Sequence, residues 1–239
     1  VGSKFCIPSP SLAYHRGGPA LIDRDVYPSL ETFWTDLCTA YRDQIVHLAN
    51  AGCTYLQFDD TTFAMLCDPK VRRQMEGRGD DPAELIRIYG KAITQAIAER
   101  PDNMTVTVHM CRGNARSSWL AEGGYEPVAE DMFAGVPVDG FFMEWDTSRA
   151  GGFEPLRFAP RDKMIVLGLV SSKFGKLETK DDLKRQIEEA SKYIPLENLC
   201  ISPQCGFAST AAGNIISEDD QWRKLTFLVE VAEEIWGNI

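Results

Sequence analysis

The chain has 239 residues, 44% of them hydrophobic, enough for one large core, and no linker, repeat or low-complexity tract divides it. A formal net charge of −10 without any basic cluster excludes a nucleic-acid-binding face and points to a small-molecule partner. The longest apolar run, Met164 to Val170, is far too short to cross a bilayer, no signal-like start is visible, and the seven cysteines are scattered without a CxxC pair, so a cytoplasmic protein with free thiols and no membrane partner is expected.

Lys4 to Ile7 reads as a strand cut off by Pro8 and Pro10, and the loop from Ser9 to Gly18 holds too much proline and glycine for regular structure. A long helix is predicted from about Ser29 to Asn50, with Leu30, Phe33, Trp34, Leu37, Tyr41, Ile45 and Leu48 at helical spacing and Ala51-Gly52 ending it. Thr54 to Phe58 forms the second strand and runs into Asp59-Asp60-Thr61-Thr62. A helix from Pro82 to about Arg100 follows, with Asp81 as its N-cap. The third strand starts at Val106 and runs straight into His109, Cys111 and a Gly113-Asn114 turn. A short helix, about Pro127 to Phe133, leads to the fourth strand, Gly140 to Met143, which ends in Glu144-Trp145-Asp146. Strand five spans Met164 to Val170 and closes on Ser171-Ser172-Lys173. A helix of about Lys180 to Tyr193 precedes strand six, Leu199 to Ser202, beyond which lie Pro203-Gln204-Cys205-Gly206-Phe207. The last helix, Glu218 to Trp236, carries Trp222, Leu225, Leu228, Val231 and Ile235 on one side.

Strand and helix alternate six times, and the strands are short apolar runs without polar alternation, so a parallel sheet buried on both faces by helices is expected. Reactive residues follow nearly every strand, which favours an α/β fold of the TIM (β/α)8 barrel type over an open doubly wound sheet. Residues 1–239 are then a single barrel domain that lacks its first two strand–helix units. Its open edges would be covered by another chain or by homo-oligomerisation.

In an extended backbone, side chains two apart point the same way, so His109 and Cys111 can reach one ion together. A lone His-x-Cys is weak, because buried cysteines are mostly inert packing. Three strand ends, however, offer ligands: His109 and Cys111 after strand three, Glu144 after strand four, Cys205 after strand six. On one rim they make a two-sulfur, one-nitrogen, one-oxygen set suited to tetrahedral zinc. The plainer alternatives are a small residue in a tight turn for Cys205 and a rim carboxylate bonded to Arg149 for Glu144.

His109-Met110-Cys111, Glu144 ahead of Asp146-Thr147-Ser148-Arg149, and Pro203-Gln204-Cys205-Gly206-Phe207 resemble the zinc-binding motifs of the cobalamin-independent methionine synthase catalytic domain. The wording Cys111-Arg112-Gly113-Asn114 and Ser202 to Thr210 is similar to the short, single-domain relatives of that enzyme, and the match runs from Ile7 to Trp236. The resemblance implies a Zn2+-dependent methyltransferase acting on a thiol, homocysteine in that family, with 5-methyltetrahydrofolate or another methyl carrier as donor. Glu144 is then the ligand that gives way to the entering sulfur, and with Asp59 it forms the catalytic pair. Asp59 matches the family aspartate that holds the amino group of homocysteine; a turn-capping role, or Asp60 as the true partner, stays open. Ser9, Ser11, His15 and Arg16 would line the rim as substrate contacts. Trp119 and Trp145 could stack a pterin or be buried, and Arg112 and Arg116 could bind a substrate carboxylate or be solvated.

One departure stands out: where the family has a proton-delivering histidine after strand five, this chain has Ser171-Ser172-Lys173, with Lys173 either a charge donor or a surface lysine. With His47 on the far side, only His15 is placed to help, which favours a donor with a better leaving group than the folate. Rival readings are a non-catalytic barrel remnant that binds zinc or a thiol, and a zinc hydrolase.

Overall fold

The computed structural model describes residues 2–237. Six strands carry the fold: β1 (Phe5–Pro8), β2 (Tyr55–Asp60), β3 (Thr105–Met110), β4 (Gly140–Glu144), β5 (Met164–Val170) and β6 (Leu199–Pro203). They form one sheet in the order β1-β2-β3-β4-β5-β6, every neighbouring pair parallel, so all six C-terminal ends lie at one edge. The helices are α1 (Leu12–His15), α2 (Leu30–Asn50), α3 (Thr62–Met65), α4 (Pro69–Gly77), α5 (Pro82–Ala96), α6 (Ala129–Gly135), α7 (Lys180–Ser191) and α8 (Glu218–Trp236). None of them is long and apolar enough to cross a membrane.

Local chemistry sets the boundaries. Ser29 and Thr32 close a reciprocal capping box at the start of α2. Asp81 caps α5 ahead of Pro82, and Ser217 caps α8. The helices that the periodicity missed, α1, α3 and α4, are short. In α4 only Val71 and Met75 are buried, too few to mark an apolar stripe in a run of charged residues.

The strands correct one expectation, because in β2 and β3 polar residues do alternate with apolar ones. Leu56, Phe58, Val106, Val108 and Met110 are fully buried against the helices, whereas Gln57, Asp59, Thr107 and His109 face the other way. On these two strands the inner face is polar, and the core lies between sheet and helices.

This inner face is concave. Flat neighbouring strands stand about 4.8 Å apart, so β3 and β6 would be separated by about 14 Å. Residues at their ends nevertheless touch, and Lys4, just ahead of β1, places its ammonium 4.2 Å from the ring centroid of Phe142 on β4. Both contacts require the sheet to curl towards a barrel. Among the described residues β1 and β6 remain the sheet edges, and β1 is largely exposed.

Candidate metal centre

His109, at the end of β3, and Cys111, just beyond it, meet Cys205, two residues past β6. Cys205 Sγ lies 3.4 Å from His109 Nε2 and 3.7 Å from Cys111 Sγ, and the three ligand atoms all fall within 4.8 Å of one another. Zn–S bonds of about 2.3 Å and a Zn–N bond of about 2.0–2.1 Å at tetrahedral angles put sulfur about 3.8 Å from sulfur and about 3.5 Å from nitrogen. The triangle therefore has the dimensions and the soft donors of a tetrahedral site with a fourth position to spare, and these residues could hold a metal ion.

The thiols share their protons unevenly. A hydrogen bond with Cys111, and one with His109, hold Cys205 well below the ordinary thiol value against the effect of burial. The same bond, together with burial, pushes Cys111 up. His109 is raised, because its bond to Cys205 and the nearby negative charges outweigh burial. A cation thus finds one sulfur already biased to thiolate.

Three connections are stitched together to make this geometry. Asn114, after β3, donates from Nδ2 to Gly206 O at 2.9 Å and to Ser209 Oγ at 2.8 Å. Asn214 donates to Ser172 O at 2.8 Å and accepts from Ser117 N at 3.0 Å, while Ser117 Oγ accepts from Ile215 N at 2.8 Å. These bonds hold Arg116 and Ser117 in a left-handed pair, φ 49° and 65°, at the tip of a tight turn. A register shift between Gly168 and Val170 re-aims the end of β6 and, with it, Cys205.

Glu144 ends β4 beside the cluster but is not part of it. Its carboxylate accepts from Arg112 N at 2.6 Å and from Arg149, and it faces Lys173 Nζ at 3.6 Å and Arg112 at 3.8 Å. Arg149 also pairs with Asp146 at 2.7 Å. Burial raises the Glu144 pKa, opposed by Lys173 and Arg149. Tyr125 joins the strand ends behind it, donating to Met110 O at 3.0 Å and accepting from Glu144 N at 2.9 Å.

Two basic residues are not what the sequence suggests. Arg112 is fully buried: it donates to Gly123 O from Nε and Nη2 (2.8 and 2.6 Å) and to Glu144 O at 3.1 Å, and stacks 4.3 Å from the centroid of Tyr125. It therefore braces the rim from within and is closed to a substrate carboxylate, whereas Arg116 is exposed. Lys173 is fully buried rather than at the surface. Its loop is pinned by Glu178, which accepts from Ser171 N at 2.9 Å and from the buried Lys224 of α8 at 2.9 Å. Lys224 thus takes the inward place on α8, while Trp222 is exposed. Neither buried cation is legible in sequence, because the partners that make burial tolerable are distant along the chain.

Of the two aspartates, Asp60 is committed. It is buried and accepts from Thr62 N at 2.6 Å, Thr62 Oγ1 at 2.7 Å and Ser11 Oγ at 2.6 Å. Among the described residues Asp59, directly across from His109 in register, accepts at its carboxylate only from Gln57 Nε2 at 2.7 Å, and Gln57 is held in turn by Lys4 at 2.7 Å. Ser9 and Ser11 are buried in the Asp60 network. His15 is buried against Tyr89 of α5, its Nδ1 3.2 Å from the hydroxyl. Arg16 is exposed. Trp145 is in the core, leaving Trp119, 44% exposed and stacked on Arg149, as the open indole.

A curled parallel α/β sheet whose C-terminal edge brings two cysteines and a histidine to coordination distance defines an α/β protein of the barrel class with a candidate metal site. Residues 20–234 match the family described as the cobalamin-independent synthase catalytic domain, and the chain belongs to that family. It is 50% identical to the uncharacterised protein YxjG of Bacillus subtilis over 98% of this chain and 61% of that protein. It is 26% identical to the methionine synthase of Pyrococcus abyssi over 76% of this chain and 45% of the relative. A crystal structure from Listeria monocytogenes, provisionally described as a vitamin-B12-independent methionine synthase, superposes with a TM-score of 0.77 at 36% identity, covering 99% of this chain and 65% of the other. The chain therefore spans less than two thirds of the length of these relatives.

Proposed function

We propose that this chain carries the thiol-activating face of a zinc-dependent methyltransferase that converts a thiol, homocysteine foremost, to its methyl thioether. The observation that carries this reading is the Cys111, Cys205 and His109 triangle, 3.7 and 3.4 Å from Cys205, on the rim of a parallel sheet in this family. Zinc, when bound there, supplies the positive charge that keeps a substrate thiol deprotonated at neutral pH. Two anionic cysteines would cancel the ion's charge, which suits a nucleophilic sulfur better than the activation of water that neutral histidines favour.

The remaining roles fall to the chain's own side chains. Asp59, with one oxygen held by Gln57, accepts the substrate ammonium from the concave face. The acceptor thiol gives its proton to solvent and its sulfur gains the S–CH3 bond as the donor's own bond to that methyl breaks; a folate nitrogen would need a proton to leave, whereas a sulfonium or a corrinoid would not. His47 is exposed and His15 is buried away from the cluster, so His109 is the one imidazole of the three at the site. This favours a methyl donor with a good leaving group, a methyl corrinoid or an S-methyl sulfonium, over 5-methyltetrahydrofolate.

The test loads purified protein with zinc, supplies homocysteine with each donor in turn and measures methionine. About one zinc per chain is expected, lost in Cys205→Ala. Zinc content unchanged in that variant would remove the central claim. A second reading is zinc and thiol binding without turnover. It would stand if thiol binds and no donor yields methionine.

A further inference from the structure

A line of hydrogen bonds crosses the concave face from Lys4, just ahead of β1, to Asp59 near the end of β2. Lys4 Nζ donates to Gln57 Oε1 at 2.7 Å, and Gln57 Nε2 donates to Asp59 Oδ1 at 2.7 Å. Gln57 is buried, and the Lys4 ammonium rests against two rings, 4.2 Å from the centroid of Phe142 and 5.5 Å from that of Tyr55. An ammonium has only donors and an ionised carboxylate only acceptors, so an amide that joins the two has a single usable orientation, oxygen to Lys4 and nitrogen to Asp59. Turning the amide over would cost both bonds at once. One Asp59 oxygen is thereby tied down, while the other has no hydrogen-bond partner among the described residues.

We propose, resting on the reading of Asp59 as acceptor of the substrate ammonium, that Lys4 is a positioning residue for amine recognition. Acting through Gln57, it fixes the Asp59 carboxylate so that one oxygen meets the ammonium. With a single oxygen open, Asp59 suits an ammonium rather than the two-pronged guanidinium that an unencumbered carboxylate takes. Holding the carboxylate in place beforehand also spares the rotamer freedom it would otherwise lose on binding.

Calorimetric titration of the zinc-loaded full chain with homocysteine and with its desamino analogue tests this. Wild type should favour homocysteine. Lys4→Met should weaken homocysteine about tenfold, the scale of one hydrogen bond to a charged group, and leave the analogue unchanged. Lys4→Arg, which keeps a donor-only cation, should recover most of that loss. Gln57→Met should show the same amine-selective loss, and adding Lys4→Met to it should cost nothing further, because the relay is already cut. A loss shared equally by both thiols would make Lys4 merely structural, and a Lys4→Met loss that persists beside Gln57→Met would mean that Lys4 acts directly; either overturns the proposal. Gln57→Met that binds both thiols as wild type does would overturn it whether or not Lys4→Met folds. In each of these cases the amine reading survives so long as Asp59→Asn still separates the two thiols. Failure of Asp59→Asn to separate them, or wild type that binds neither thiol, would sink that reading and the proposal with it.

Discussion

Replacing Arg112 by methionine separates two accounts of this residue, a substrate anchor and an internal brace. The change keeps much of the volume and removes a guanidinium that donates at 2.6 and 2.8 Å to Gly123 O and at 3.1 Å to Glu144 O. Hydrogen bonds from a charged donor contribute about 1.5–3 kcal/mol each, and the methionine escapes the cost of burying a charge. What decides the balance is that Gly123 O loses its guanidinium donors and Glu144 loses a cation, so the net loss should be about 3–5 kcal/mol. For a chain of this length each kcal/mol lowers Tm by about 2–4 °C, which predicts a fall of about 10 °C. Urea and thermal unfolding of the metal-free protein measure it. A loss below about 1 kcal/mol, accompanied by weakened substrate binding, would refute the brace and reinstate the substrate anchor.

Burial holds the His15 pKa near 4, with Asp60 opposing, against about 6.5 in the unfolded chain. Its contribution is thus complete above pH 6.5 and is lost as the pH falls to about 4, a decline on the order of 3 kcal/mol that His15→Phe should flatten; the same slope in both proteins by urea melts at several pH values would contradict this. Gly168→Ala would put a Cβ 2.8 Å from Met143 O and 2.9 Å from Gln204 Cα, displacing the segment that aims Cys205. Zinc affinity should fall about 10-fold or more, and competition with a chelator reads it. Asp59→Asn should weaken homocysteine by about 1.5–3 kcal/mol and leave a thiol without an amino group unaffected; equal effects on both thiols would remove Asp59 from amine recognition.

Much of the architecture is legible because the strands are apolar runs between strong breakers. β5 and α8 run over the residues that periodicity assigns, and α2, Leu30–Asn50, begins one residue after Ser29, where the apolar spacing starts it. The candidate donors His109, Cys111 and Cys205 are legible for a related reason: on parallel strands, position at a strand end is position on the rim. What stays hidden depends on partners far along the chain. Lys173 looks like a surface residue until Glu144 stands beside it, 29 positions away, and Arg112 looks free until the carbonyl of Gly123 closes on it. Asp59 and Asp60 are adjacent and chemically identical, and only strand pleat and the Thr62 and Ser11 donors separate a committed carboxylate from an available one.

The sequential strand order carries a consequence for biosynthesis. Each strand pairs with the one translated before it, so the sheet can grow outward as the chain leaves the ribosome. Cys205 follows Cys111 by 94 positions and His109 by 96. At about 5–20 residues per second, the first two donors are made about 5–20 s before the third. During that interval a nascent chain offers an ion only a bidentate half-site, which cannot outcompete cellular chelators. If the cluster takes up zinc as proposed, metallation would follow translation, gated by the docking of β6, and a ribosome-stalled chain ending before Cys205 should emerge metal-free.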